Sequence, residues 1–127
     1  DGAPQGPPNR AEAEAEAARG AYGFARVEML PGGVGYIDLR GFTHFSPDNA
    51  ETSPARRAAD AAMSLLAGAS AIIIDERDCP GGSPAMVGYL VAYFTPPGAD
   101  IFNTFRSRRG EGRENNFVDP RGERRLD

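Results

Sequence analysis

The chain contains no lysine: all fourteen of its basic residues are arginine. That absence removes Schiff-base chemistry, a lysine general base and a phosphate-loop lysine from its own repertoire. Cys79 is the only cysteine, so no internal disulfide can form, and the redox compartment cannot be read from it. His44 is the only histidine; with one cysteine and one histidine the chain cannot build a zinc site by itself, and no metal or cofactor is expected. No apolar run approaches the ~20 residues of a membrane-spanning helix. The longest are Ala69 to Ile74 and Met86 to Phe94. No signal peptide is visible, and the first residue is Asp1, so the compartment is undetermined. The net charge of −4 gives no reason to expect nucleic acid or an anionic membrane as partner.

At 127 residues, 40% hydrophobic and 25% charged, the chain fits one soluble domain. Its sixteen glycines and eleven prolines gather at the ends and at a few turns, which leaves the middle free to fold around a core. Three regions follow. Residues 1–20 read as a disordered or marginally helical lead: a proline- and glycine-rich start, then an Ala-Glu alternation of good helix formers without a large apolar residue. Residues 21–105 read as the folded part, and 106–127 as a flexible Arg/Gly-rich segment with Phe117, Val118 and Leu126 as anchors. Acidic residues interleave with the late arginines, which disfavours an RNA-binding reading.

Within the folded part, Tyr22 to Leu30 and Val34 to Leu39 are rich in aromatic and branched residues, and Pro31-Gly32-Gly33 supplies turn chemistry between them: a β-hairpin. Ser46 to Thr52 is a polar loop. A helix then starts with Ser53 as N-cap and Pro54 in its first turn and runs toward Gly68. Ala58, Ala62, Leu65 and Leu66 form its apolar face, with Arg56, Arg57, Asp60 and Ser64 on the other. It leads into Ala71 to Asp75, an unbroken apolar run of the kind found in strands buried on both faces, so strand, helix and strand predict a right-handed parallel crossover. A second helix is expected from Pro84 to Phe94 and another strand from Ile101 to Phe105. The fold class is α/β.

Ala71 to Pro84 carries the chemistry. A strand delivers the chain to Gly81-Gly82, and a helix begins at once with Ser83 as cap. Glycines let a backbone approach a ligand closely, and a helix N-terminus adds partial positive charge, so the loop suits an anion or a developing oxyanion. The alternative is that the two glycines only make a tight strand-to-helix turn. Asp75 and Arg77 read as an ion pair that shapes the turn. The cap role accounts for Ser83, whose surroundings do not form a Gly-x-Ser-x-Gly elbow. His44, beside Phe42 and Phe45, reads as a packed or surface residue, or as a base placed just past a central strand. Cys79 reads as incidental, or as a thiolate near a helix end.

These segments together resemble a known family. GYIDLRGF (Gly35 to Phe42), the alanine-rich helix through Ala61-Ala62-Met63, AIIIDERDCPGGSPAMV (Ala71 to Val87) and YLVAYF (Tyr89 to Phe94) are similar to the tail-specific, or C-terminal-processing, serine peptidases, in the branch related to interphotoreceptor retinoid-binding protein. The most specific element is the strand-borne pattern Asp75, Arg77, Gly81, Gly82. The resemblance implies the N-terminal part of a crotonase-like or protease-subunit-like sheet, with hairpin, βαβ crossover and a helix after the Gly-Gly loop. It implies peptide hydrolysis through an acyl-enzyme on a polypeptide substrate, with backbone N–H of Gly81 or Gly82 as oxyanion donor. It places the nucleophile after the next central strand, beyond Asp127, so the chain alone is expected to be inactive and to self-associate through an open sheet edge. Members of the family are often secreted or periplasmic. The retinoid-binding relatives suggest a second function, a non-catalytic module for an apolar small molecule such as a retinoid or lipid; an inert scaffold fragment is the third.

Overall fold

The computed structural model describes residues 9–96, together with the backbone of 101–106 and 112–117. The proline-rich lead and the expected anchors Val118 and Leu126 lie outside the described residues.

A mixed α/β arrangement results. Helix α1 (Arg10–Arg19) is closed by a capping box in which the Asn9 side chain accepts the Glu12 N–H and the Glu12 side chain accepts the Asn9 N–H. It buries no residue, as its lack of large apolar side chains requires. A 3₁₀ turn at Ala21–Gly23, with Ala21 and Tyr22 in the left-handed region (φ 49° and 55°), redirects the chain. Strand β1 (Phe24–Leu30) pairs antiparallel with β2 (Val34–Leu39) across Pro31-Gly32-Gly33, where both glycines have positive φ. The expected hairpin is therefore present, starting two residues later than Tyr22.

After a 3₁₀ turn at Pro47–Thr52, helix α2 (Pro54–Leu65) begins where Ser53 accepts the Arg56 N–H. It carries the chain to β3 (Ala71–Asp75), which lies parallel to β2 in register Tyr36↔Ile73 and Ile37↔Ile74. The sheet order is β1-β2-β3, with β2 in the centre. Helix α3 (Pro84–Val91) follows the Gly-Gly loop and passes into a 3₁₀ turn at Ala92–Phe94. Strand β4 (Ile101–Arg106) pairs antiparallel with β5 (Gly112–Phe117) in a separate two-stranded sheet. Within the span 106–127 the structure describes the strand Gly112–Phe117, each residue of which has a register partner on β4, a pairing that local composition does not reveal.

Two further expectations are corrected by packing. The Ala71 to Asp75 strand is not buried on both faces: Ile73 is 48% exposed, whereas Ile72 and Ile74 pack against the core. The helices cover only the face carrying Ile37, Leu39, Ile72 and Ile74. The opposite face presents Arg26, Glu28, Tyr36, Asp38 and Asp75, and Ile73 shares it by register. In α2 the buried stripe is Ala55, Ala59, Ala62 and Met63, continued by the C-cap Leu66, whereas Leu65, assigned to the apolar face, is 60% exposed. Arg56, assigned to the solvent face, is buried. Its side chain is drawn inward by α3: Arg56 Nε donates to the Tyr89 hydroxyl at 3.0 Å, and its guanidinium lies over the Tyr89 ring. Tyr89 donates in turn to Asp60 Oδ1 at 2.5 Å, and Tyr93 donates to the same oxygen. This cluster locks α2 to α3 above a core of Ile37, Leu39, Met63, Leu66 and Met86.

Candidate functional site

The site forms beyond the carboxyl ends of β2 and β3, the side of a parallel pair where α/β sheets bind ligands. Past Leu39 the chain runs to Phe42, which makes an isolated parallel bridge with Gly82. The Phe42 N–H donates to the Gly81 carbonyl at 3.1 Å, and the Ser83 N–H donates to the Phe42 carbonyl at 2.8 Å. Two main-chain bonds thus pin the Gly-Gly loop to the continuation of β2. Gly81 and Gly82 have φ of 116° and 147°, conformations that side-chain-bearing residues rarely adopt. Among the described residues neither glycine's N–H finds an acceptor. They stand immediately before α3, whose N-terminal end adds partial positive charge.

Ser83 caps α3 by accepting the Ala85 N–H at 3.2 Å. Its hydroxyl makes a second contact that the cap does not require: His44 Nδ1 lies 2.7 Å from Ser83 Oγ. His44 is exposed and Ser83 half-buried, so the pair is reachable from solvent. His44 also lines a groove of about 670 Å³ between α1 and the segment from Thr43 to Ala55, whose walls include Arg10, Glu14, Tyr22 and Phe45.

Asp75 and Arg77 pair on the polar face of the sheet. Arg77 Nε and one terminal nitrogen reach the two carboxylate oxygens at 2.9 and 2.7 Å, the Arg77 N–H adds a third bond, and the Tyr36 hydroxyl donates at 2.6 Å. Arg77, with Tyr36 behind it, holds the Asp75 carboxyl well below the usual carboxylate range. The same contact raises the Tyr36 hydroxyl. These four bonds engage the Asp75 carboxylate where β3 passes into the segment leading to the Gly-Gly loop. Arg40 and Asp38 form a parallel bidentate pair at 2.9 Å. Cys79 is half-buried, with its sulfur 3.9 Å from the Gly81 carbonyl. Among the described residues no group of three His, Cys, Asp or Glu side chains could hold a metal, and no helix is long and apolar enough to cross a membrane.

No protein-family model matches the chain, and no curated protein matches it either. The site therefore rests on its own geometry. The structure gathers four of the residues singled out from sequence, His44, Gly81, Gly82 and Ser83, at one end of the sheet, and sets Asp75 and Arg77 on the polar face. The pairing of His44 with Ser83, 39 positions apart, escaped the sequence reading. A signal existed: once β2 and β3 are taken as parallel neighbours, the segments leaving their carboxyl ends must also be neighbours.

Proposed function

We propose that this chain supplies the oxyanion loop and part of the sheet of a serine-type peptidase domain, in a crotonase-like or protease-subunit-like arrangement. The peptidase nucleophile comes from outside these 127 residues. The observation that supports the reading is the Gly81-Gly82 loop: a strand-to-helix junction with two positive-φ glycines, pinned to Phe42, offering unengaged N–H groups at the start of a helix. Such donors favour the charge that develops on a carbonyl oxygen during acyl transfer, and removing one costs on the order of a hundredfold in rate. The substrate class is a polypeptide, cleaved through an acyl-enzyme.

The test is Gly81→Ala in the protein that carries these residues, because a Cβ at position 81 meets nothing within 4 Å and acts only through the backbone conformation. A fall in kcat of about a hundredfold is expected with KM near normal in a variant that still folds, its stability lowered only by the strained φ at position 81. Normal kcat at normal stability would remove the loop from the chemistry. The groove beside α1 favours a second reading, a binding module for an apolar small molecule, since its volume lies in the range of small-molecule sites. Saturable fluorescence on adding a retinoid or fatty acid, in a protein without peptidase activity, would select it.

A further inference from the structure

We infer that Ser83 is itself an acyl-accepting nucleophile with His44 as its base, a hydroxyl–imidazole pair contained in this chain and directed at carboxylic esters whose apolar acyl part lies in the groove beside α1. The inference goes beyond the peptidase reading, which draws its nucleophile from elsewhere and uses the two glycines only as donors.

The geometry carries it. Nucleophile and base belong within about 2.6–3.2 Å of each other, and His44 Nδ1 sits 2.7 Å from Ser83 Oγ. The tautomer with Nδ1 unprotonated receives the hydroxyl proton, while the Ala85 N–H occupies one lone pair of Oγ and leaves the other for attack. Capping α3 needs only the Ala85 contact, so the cap does not explain a histidine brought from the far side of a parallel crossover. Structural value does not explain it either, because a hydrogen bond made at an exposed position adds little to stability. His44 connects the pair to the groove, whose 670 Å³ suits a small acyl group and whose walls include Tyr22, Phe45 and Pro54. Gly81 and Gly82, two and one residues before Ser83, carry backbone N–H groups without an acceptor among the described residues. Among the described residues no carboxylate bonds the second nitrogen of His44, so the unit is a dyad.

The step balances without a co-reactant other than water. As the Ser83 Oγ–carbon bond forms, the hydroxyl proton passes to His44 Nδ1 and the carbonyl π pair moves onto oxygen. Collapse of that intermediate breaks the bond to the leaving alcohol, which takes the proton from His44, and leaves Ser83 acylated. Water, deprotonated by His44, then releases the acid and restores the hydroxyl.

The experiment treats the 127-residue chain with a fluorophosphonate and with p-nitrophenyl butyrate, locates adducts by mass spectrometry, and follows melting by circular dichroism. One adduct per chain on Ser83 is expected. Ser83→Asn keeps a capping acceptor and removes the nucleophile, so it should remain unlabelled while melting near the parent temperature. His44→Gln should slow labelling about a hundredfold. No adduct on Ser83, or labelling of His44→Gln at the parent rate, overturns the inference. The two proposals fail separately: labelling of Ser83 that Gly81→Ala leaves unchanged supports the dyad and removes the oxyanion loop. An unlabelled Ser83, beside a Gly81→Ala loss of peptidase turnover, overturns the dyad alone.

Discussion

Phe42 fills the space that a side chain on residue 82 would need: a Cβ on Gly82 would lie 2.4 Å from the Phe42 carbonyl oxygen and 2.8 Å from its nitrogen. Backbone cannot swing aside as a flexible side chain can, and here it is held by the bonds to Gly81 and Ser83. The two glycines are therefore not equivalent. Gly82→Ala should cost about 3 kcal/mol through steric conflict added to a strained φ. Gly81→Ala, with open space around it, should cost about 1–2 kcal/mol from conformation alone. Urea unfolding of both variants checks this, and equal losses would mean that the close approach to Phe42 is not what holds the loop.

Gly35 plays a comparable part in the core. A Cβ there would sit 3.0 and 3.1 Å from the two Leu66 methyls and 3.3 Å from Ile72 Cγ1. Absence of a side chain on β2 lets the end of α2 settle on the sheet, with Leu66 fully buried. Gly35→Ala should destabilise by about 1–3 kcal/mol, and Leu66→Ala by about 2–5. Because each changes the same few cubic ångströms, the double variant should lose less than the sum. A double-mutant cycle showing strict additivity would contradict the packing described.

Stability should fall at both ends of the pH range. Arg77 and Tyr36 hold Asp75 below its unfolded value, so its contribution is complete above pH ~4 and is lost as pH falls below that point. Tyr89 is raised by burial and by Asp60, and Tyr36 by its bond to Asp75. Their contributions are complete below pH ~10 and are lost as pH rises beyond it. Melting temperatures taken from about pH 2 to about pH 11 should trace a plateau. Arg77→Ala should flatten its acid limb and Tyr89→Phe its alkaline limb; unchanged limbs in both variants would count against these assignments.

Strand β3 pairs only with β2 in the described sheet, and Ile73 lies exposed along it. A strand with one edge unpaired and an exposed apolar residue is a template for another chain. Concentration-dependent association is expected in analytical ultracentrifugation, and Ile73→Lys should shift the protein toward monomer. A parent chain that stays monomeric at every concentration would show the edge to be harmless.

Local patterns made much of this fold readable. Turn chemistry at Pro31-Gly32-Gly33 and the Ser-Pro starts at Ser53 and Ser83 mark the hairpin, α2 and α3, because caps and turns depend on residues within four positions. The burial of Arg56 was not readable, since it depends on Tyr89, 33 positions away, offering a hydroxyl and a ring face. Ile73 misled for a related reason: three isoleucines in a row look alike, and only the coverage of the sheet decides which face is open. At the site, the glycine pair announced itself, whereas the His44–Ser83 contact arises from strand order.

The central position of β2 also sets an order of events for the folding chain. Its bond with β1 closes a turn of three residues, whereas its bond with β3 joins Tyr36 to Asp75 across 39 positions. The first contact can form with little loss of chain entropy, and the second must wait until α2 has shortened the intervening loop. The His44–Ser83 meeting spans the same separation. The contact is therefore among the last the molecule acquires, and the first that local unfolding of the crossover would take away.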